Sequence, residues 1–157
     1  MSATNIVHTE VMELEATPSQ VREFILTPER ILDYFPTPVD GGVLEAGKAI
    51  YCRGEMAVSM LEVLPEESND GLLVIKVSTA FGLEAPFTRA RIEENTVFTM
   101  IEDWATEATA TGTRLTKTWR DVVSIDPEPF PIADAVKQGA QHETAALIAG
   151  WNAAAAS

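Results

Sequence analysis

The sequence predicts an α+β fold in which a curved antiparallel sheet of about six or seven strands wraps around one long C-terminal helix. Three observations lead to it: a capped helix start near the N terminus, strand-like patterning from residue 41 to about 123, and a proline-free, alanine-rich C-terminal segment. Hairpin-linked strands with segregated helices are typical of this class. The 157 residues suit one domain of roughly 100–200 residues, expected to span 1–157.

Two short helices are expected directly after the first strand. Residues 6–14 alternate loosely between apolar and polar side chains and predict that strand. Thr17, followed by proline and by Gln20 three positions on, forms a capping box that opens a first helix. The same start signal at Thr27 predicts a second helix continuing to Phe35, where prolines end it.

The central region predicts a series of β-strands joined by short turns. Its segments are rich in β-branched residues and are separated by glycine or by polar clusters. After a glycine-punctuated first segment, strands are expected at residues 50–55, 58–64, 72–79, 87–92, 96–107 and 114–123.

The C-terminal segment predicts one long amphipathic helix. A stiff, proline-studded connection at residues 126–131 precedes it, and residues 132–155 contain no proline. Side chains at steps of three and four form a narrow stripe on one side. The stripe consists of Ile132, Val136, Ala140, Glu143, Leu147 and Trp151.

The chain resembles the START-like helix-grip superfamily (SRPBCC), which includes polyketide cyclases/dehydrases, lipid-transfer domains and pollen-allergen-type proteins. The resemblance covers nearly the whole chain and rests on residues 12–21, 26–31, 41–47 and 112–115. It implies a hydrophobic cavity between the sheet and the C-terminal helix that holds a lipid-like, polyketide or aromatic ligand. The superfamily spans carriers, sensors and enzymes, so the resemblance specifies the fold better than the function.

The amino-acid composition and net charge limit the classes of partner that are expected. The net charge of −13 disfavours nucleic acids and anionic membranes, which both attract lysine and arginine. No apolar run approaches the ~18–20 residues of a membrane span, and the N terminus lacks a signal-peptide pattern, so a cytoplasmic protein is expected. The single cysteine and the two histidines lack metal-ligand spacing, and no nucleotide fingerprint occurs. No metal or cofactor is therefore expected.

The last two strands suggest what lines the implied cavity. A two-residue turn at Thr111-Gly112 would pair Trp104 with Trp119 and Met100 with Val123 on the inner face. The outer face would then carry an exposed ion pair between Asp103 and Arg120, but a one-residue slip would invert the faces. The residues expected to bind ligand are Phe35, Phe81, Phe98, Met100, Trp104, Trp119, Val136 and Leu147.

Charged residues on the inner face are candidates for catalysis. The strand parity places Glu102 and Lys117 there, and it places His8 and Glu10 there from the first strand. Such groups could orient a polar ligand or act as acid and base on a carbonyl substrate. The favoured interpretation is instead that they sit near strand ends, where the inner face opens to water.

Three functions remain open from the sequence. The chain could bind a hydrophobic or aromatic small molecule, or it could be a cyclase/dehydrase-type enzyme that uses these acid/base residues. It could also be a protein-interaction module with a closed cavity. The absence of a sharp catalytic motif favours binding, while the ligand and the oligomeric state stay undetermined.

Overall fold

A seven-stranded antiparallel sheet packs against one long helix. The computed structural model describes residues 5–31, 33–34, 40–45, 49–53, 57–84 and 88–156. The elements are β1 (Ile6–Leu14), α1 (Pro18–Ile25), α2 (Pro28–Ile31), β2 (Asp40–Glu45), β3 (Ala49–Arg53), β4 (Ala57–Val63), β5 (Leu72–Phe81), α3 (Arg89–Glu94), β6 (Thr96–Thr109), β7 (Gly112–Ser124) and α4 (Ile132–Ala156). The sheet order is β1-β7-β6-β5-β4-β3-β2, which confirms the predicted fold class.

The two short helices follow β1, although the second is shorter than predicted. In the capping box of α1, the Gln20 amide donates to Thr17 Oγ1 at 3.2 Å and the Thr17 amide donates to Gln20 Oε1 at 2.9 Å. Helix α2 is described over Pro28–Ile31, and Asp33, whose amide donates to the Arg30 carbonyl at 3.2 Å, already lies in a turn with Tyr34. Phe35, the expected end of this helix, lies outside the described residues.

The prediction of a strand at residues 87–92 is wrong, because the helix α3 covers Arg89–Glu94. Thr88 caps the helix by accepting a hydrogen bond from the Arg91 amide, and arginine, alanine and glutamate favour helix over strand. Ile92 of α3 is fully buried in a small cluster with Val58, Met60 and Ala80. This cluster covers the face of β4 and β5 that points away from α4.

The strand pairing in the β6–β7 hairpin is shifted by two positions from the predicted pairing. Thr109 pairs with Gly112, so Trp104 lies opposite Lys117 instead of Trp119. Gly112 has φ +155°, and a side chain there would collide with the Leu14 carbonyl of β1, so only glycine suits this place after the turn. A shift of two residues moves each partner but keeps each side chain on its predicted face.

An irregularity near the end of this hairpin changes the predicted pairing again. The register shifts between Thr99 and Ile101, and Thr99 takes the place opposite Val123 that was expected for Met100. Val123 is 65% exposed and therefore lies outside the core. The shift coincides with Asp121, whose φ is +55°. A bulge of this kind is a common way to redirect strand side chains at the end of a sheet.

The C-terminal helix α4 buries the predicted stripe unevenly. Four residues of the stripe are fully buried: Ile132, Ala140, Leu147 and Trp151. Trp151 stacks on Trp104 with ring centroids 5.9 Å apart, and Tyr34 meets both rings edge-on. These residues form the filled core under the C-terminal half of α4. Within the described ranges, no helix has the length and apolar character that a membrane crossing requires.

Candidate ligand-binding site

A cavity of about 260 Å³ lies between the sheet and the N-terminal half of α4. Strands β4 to β7 form one wall, and α4 forms the other with the segment before it. Polar groups are few, namely the hydroxyls of Ser59 and Thr79 and the carboxyls of Glu102 and Glu143. The larger apolar side chains of the wall are Leu61, Val77, Phe81, Phe98, Met100, Trp119, Phe130, Ile132 and Val136.

Of the eight residues predicted to bind ligand, five contribute to the cavity wall, two belong to the filled core, and one lies outside the described residues. Trp104 and Leu147 belong to the filled core instead of the cavity wall, because Tyr34 and Trp151 occupy the space beside them. Phe35 is outside the described residues. The predicted residues that do contribute to the wall are Phe81, Phe98, Met100, Trp119 and Val136.

Three phenylalanines form the solvent-facing end of the cavity. The ring of Phe130 stacks on Phe81 at 5.6 Å between centroids and meets Phe98 edge-on at 6.0 Å. Phe81 is 41% exposed, so the cavity reaches solvent at this end. The sequence indicated Phe130 only as part of a proline-rich connection, and nothing in the local pattern showed that its ring turns back onto the sheet.

A buried lysine with two carboxylates marks the other end of the cavity. Lys117 is 1% exposed, and its Nζ lies 3.0 Å from Glu102 Oε1 and 3.4 Å from Glu143 Oε2. Two tryptophan rings flank the ammonium group, with centroids 4.2 Å (Trp104) and 4.4 Å (Trp119) from Nζ. Opposite charges and ring faces together compensate the desolvation of a buried cation.

These three charged residues, Glu102, Lys117 and Glu143, are called the charged partition below. Trp104 lies on its core side and Trp119 lies on its cavity side. The charged partition therefore lies between these two rings, while Leu61 and Val77 belong both to the core cluster and to the cavity wall. Lys117 itself is not among the wall residues of the cavity, whereas both carboxylates are.

His8 and Glu10 form a separate pair on the edge strand β1. His8 Nε2 lies 2.7 Å from Glu10 Oε2, and both side chains are half-buried. They lie opposite Trp119 and Lys117 in the β1–β7 register, yet neither contributes to the cavity wall. Within the described ranges, no three His, Cys, Asp or Glu side chains come together as a metal site would need.

Glu143 is a charged site residue that the sequence analysis did not single out. It appeared only as one member of the helix stripe, where an acidic residue in an otherwise apolar row was the available signal. Burial raises the pKa of its carboxyl above 4.5, and the nearby Glu102 charge raises it further, while Lys117 opposes both. Glu143 therefore keeps its proton further toward neutral pH than an exposed glutamate does.

The predicted outward pair is present, although it is less exposed than expected. Arg120 Nε lies 2.7 Å from Asp103 Oδ2 and its Nη1 lies 2.6 Å from Asp121 Oδ2, with all three side chains at least half-buried. Because these residues lie on the opposite face of the sheet from Trp119, their charges do not belong to the cavity.

Solved structures with the same architecture match nearly the whole chain. Protein CV1439 from Chromobacterium violaceum is 17% identical, with 94% of this chain and 98% of that chain covered and a TM-score of 0.62. The Mll3558 protein from Rhizobium loti is 15% identical, with coverages of 94% and 96% and a TM-score of 0.64. A START superfamily protein from Mycobacterium smegmatis is 12% identical, with coverages of 95% and 96% and a TM-score of 0.56.

The comparisons establish the fold of the chain. No protein-family model matches the sequence, and the search of curated proteins finds no match. The structural likeness nevertheless spans the sheet, the short helices and α4. The chain therefore has a START-like helix-grip fold, as the sequence resemblance implied.

Lys117→Met tests whether the charged partition holds the interior together. The substitution leaves Glu102 buried without its cation, so we expect a loss of about 3–5 kcal/mol in the free energy of unfolding, measured by urea denaturation. The double variant Lys117→Met/Glu102→Gln removes both charges and should recover most of this loss. A single-variant loss below about 1 kcal/mol would show that the partition is not a stabilising element.

Glu143→Gln tests the raised pKa of this carboxyl. Folded protein binds the Glu143 proton more tightly than unfolded protein does, so its contribution is fully present below pH 4.5 and is lost as pH rises through the raised pKa. The free energy of unfolding should therefore fall less between about pH 5 and about pH 8 in Glu143→Gln than in the wild type. Glu66→Gln, in an exposed turn, should follow the wild-type profile, and identical profiles for all three proteins would contradict the assignment.

Proposed function

We propose that this chain binds one compact hydrophobic or aromatic small molecule in the cavity between the sheet and α4. The observation that carries the proposal is a mostly apolar wall around about 260 Å³ of open interior. A dry apolar cavity of about 150 Å³ holds benzene, and pockets for drug-sized ligands start near 300 Å³. The volume therefore suits a molecule of one or two rings better than a long-chain lipid.

The chemistry of the wall supports an aromatic ligand. Phe81, Phe98 and Phe130 surround the solvent-facing end, and Trp119 lies near the charged partition. Aromatic pairs add about 0.5–1.5 kcal/mol beyond the area that they bury. A flat ligand would meet ring faces or edges along the cavity. An interaction module with a closed interior would instead be expected to fill this space with its own side chains.

Gly139→Leu tests the cavity directly. Gly139 of α4 lies in the wall, and an added Cβ would meet no other atom within 4 Å. Leucine should therefore occupy ligand space without strain and lower the affinity for naphthylmethanol at least about tenfold in calorimetric titration. The free energy of unfolding should hold or rise, because glycine inside a helix costs about 1 kcal/mol relative to alanine.

Ala145→Leu is the matched control, because Ala145 lies on the exposed side of the same helix. It should leave the naphthylmethanol affinity unchanged. Wild-type affinity in the Gly139→Leu protein would place the binding site elsewhere, and an equal loss in both variants would point to a general effect on the helix.

A second candidate function is acid–base catalysis on a bound carbonyl compound. It is favoured by the Glu143 carboxyl, which lies in the cavity wall with its pKa raised by burial. Glu143 could donate its proton to the carbonyl oxygen while the Glu102 carboxylate accepts a proton from the adjacent carbon, which gives the enol. Reversal with solvent protons would restore the ketone. Of the residues predicted for this chemistry, His8 and Glu10 lie away from the wall.

Hydrogen exchange tests this second candidate without knowledge of the natural substrate. In D₂O, the wild-type protein should accelerate deuterium incorporation into the methyl group of acetonaphthone, followed by NMR. Glu143→Gln should lower the catalysed rate by about 10²-fold, a usual contribution of one general acid. A wild-type rate equal to that of buffer, with the ketone shown to bind, would leave binding alone as the function.

A further inference from the structure

The polar groups of the cavity wall are acidic or neutral. Among the described wall residues there is no lysine, arginine or histidine. The Ser59 and Thr79 hydroxyls lie 3.0 Å apart and hydrogen-bond with each other. A polar ligand group that reaches the inner end of the cavity therefore meets the carboxyls of Glu102 and Glu143.

The nearby cation, Lys117, is already engaged. Its Nζ is held by both carboxylates at 3.0 and 3.4 Å and by the faces of Trp104 and Trp119. A ligand anion could reach this ammonium only by displacing a carboxylate, and it would then lie beside that displaced charge. Like charges at such short range cost several kcal/mol in a poorly solvated site.

The partition is also short of positive charge. It contains two carboxylates for one ammonium, and the Glu143 side chain is 19% exposed, whereas Lys117 is fully buried. Glu102 is further satisfied by the Trp104 indole, whose Nε1 donates to Oε1 at 3.2 Å. Lys117 is the contact that the structure records for the Glu143 carboxyl. Glu143 is therefore the group of the partition best placed to accept a second cation.

We infer that the cavity selects apolar molecules that carry a protonated amine and rejects those that carry a carboxylate. The inference rests on the proposed function and adds the charge of the ligand to it. The rings of the ligand would lie among Phe81, Phe98 and Phe130, and its ammonium group would donate to Glu143. An ammonium group beside Glu143 favours the ionised form of this carboxyl and then supplies a second positive charge to the partition.

Three ligands of one shape test the inference. Naphthylmethylamine, naphthylmethanol and naphthoate present a cation, a neutral hydroxyl and an anion on the same ring system. Calorimetric titration of the wild-type protein near neutral pH should rank amine above alcohol above carboxylate, with at least about tenfold between the first and the last. A carboxylate that binds as tightly as the amine overturns the charge selectivity.

Binding of the alcohol distinguishes a failure of the charge selectivity from a failure of the cavity to bind ligand. If it binds while the amine and the carboxylate bind equally, the cavity is confirmed as a binding site and the charge inference alone is wrong. If none of the three ligands binds, the proposed function fails and the inference falls with it.

Glu143→Gln tests whether the Glu143 carboxyl causes the preference for the amine over the carboxylate. This variant keeps the Lys117–Glu102 pair, and we expect its amine affinity to fall about tenfold while its alcohol affinity changes little. Glu66→Gln changes the net charge equally from an exposed turn and should retain the wild-type ranking. An unchanged amine-to-carboxylate ratio in Glu143→Gln would show that this carboxyl does not receive the ligand cation.

Discussion

Burial of the Lys117 ammonium is the constraint on which the rest of the interior depends. An unpaired buried cation would be too costly to retain, so its neighbours must come from several elements at once. Glu102 comes from β6, Glu143 comes from α4, and Trp104 and Trp119 come from the two strands of the last hairpin. The ammonium group of Lys117 therefore contacts side chains of α4, β6 and β7 at one buried point.

The apolar stripe of α4 packs into a filled core on one side of the charged partition and faces the open cavity on the other side. On one side of the partition, Leu147 and Trp151 pack with Trp104 and Tyr34 into a filled core. On the other side, Val136 and its neighbours face open space. The α4 residues in the cavity wall are Ile132, Ala135, Val136, Gly139 and Glu143, none of which carries a ring, so the volume beside them stays open.

Much of the fold could be predicted because local signals and global packing agree. The capping box at Thr17 and the uninterrupted periodicity of α4 are local features that tertiary contacts reinforce. The prediction of a strand at residues 87–92 was wrong because the alternation of apolar and polar residues was weak and the Thr88 cap favoured a helix. The inner faces of β6 and β7 were predicted correctly up to the irregularity between Thr99 and Ile101, since a shift of two positions preserves strand parity, whereas Val123 beyond it is exposed. The partner of Trp104, by contrast, changed from Trp119 to Lys117.

The sequence by itself determined most element types, the inward face of the last hairpin up to its irregular end and the stripe of α4, because each depends on a repeat of two or 3.6 residues within one segment. Only the tertiary structure decided which inward residues bound a cavity. Trp104 and Trp119 have the same residue type and the same predicted face, yet one is core and the other is wall. Likewise, only the tertiary structure showed that Phe130 and Glu143 belong to the cavity wall. Their roles depend on which distant element lies opposite them, and no local pattern contains that information.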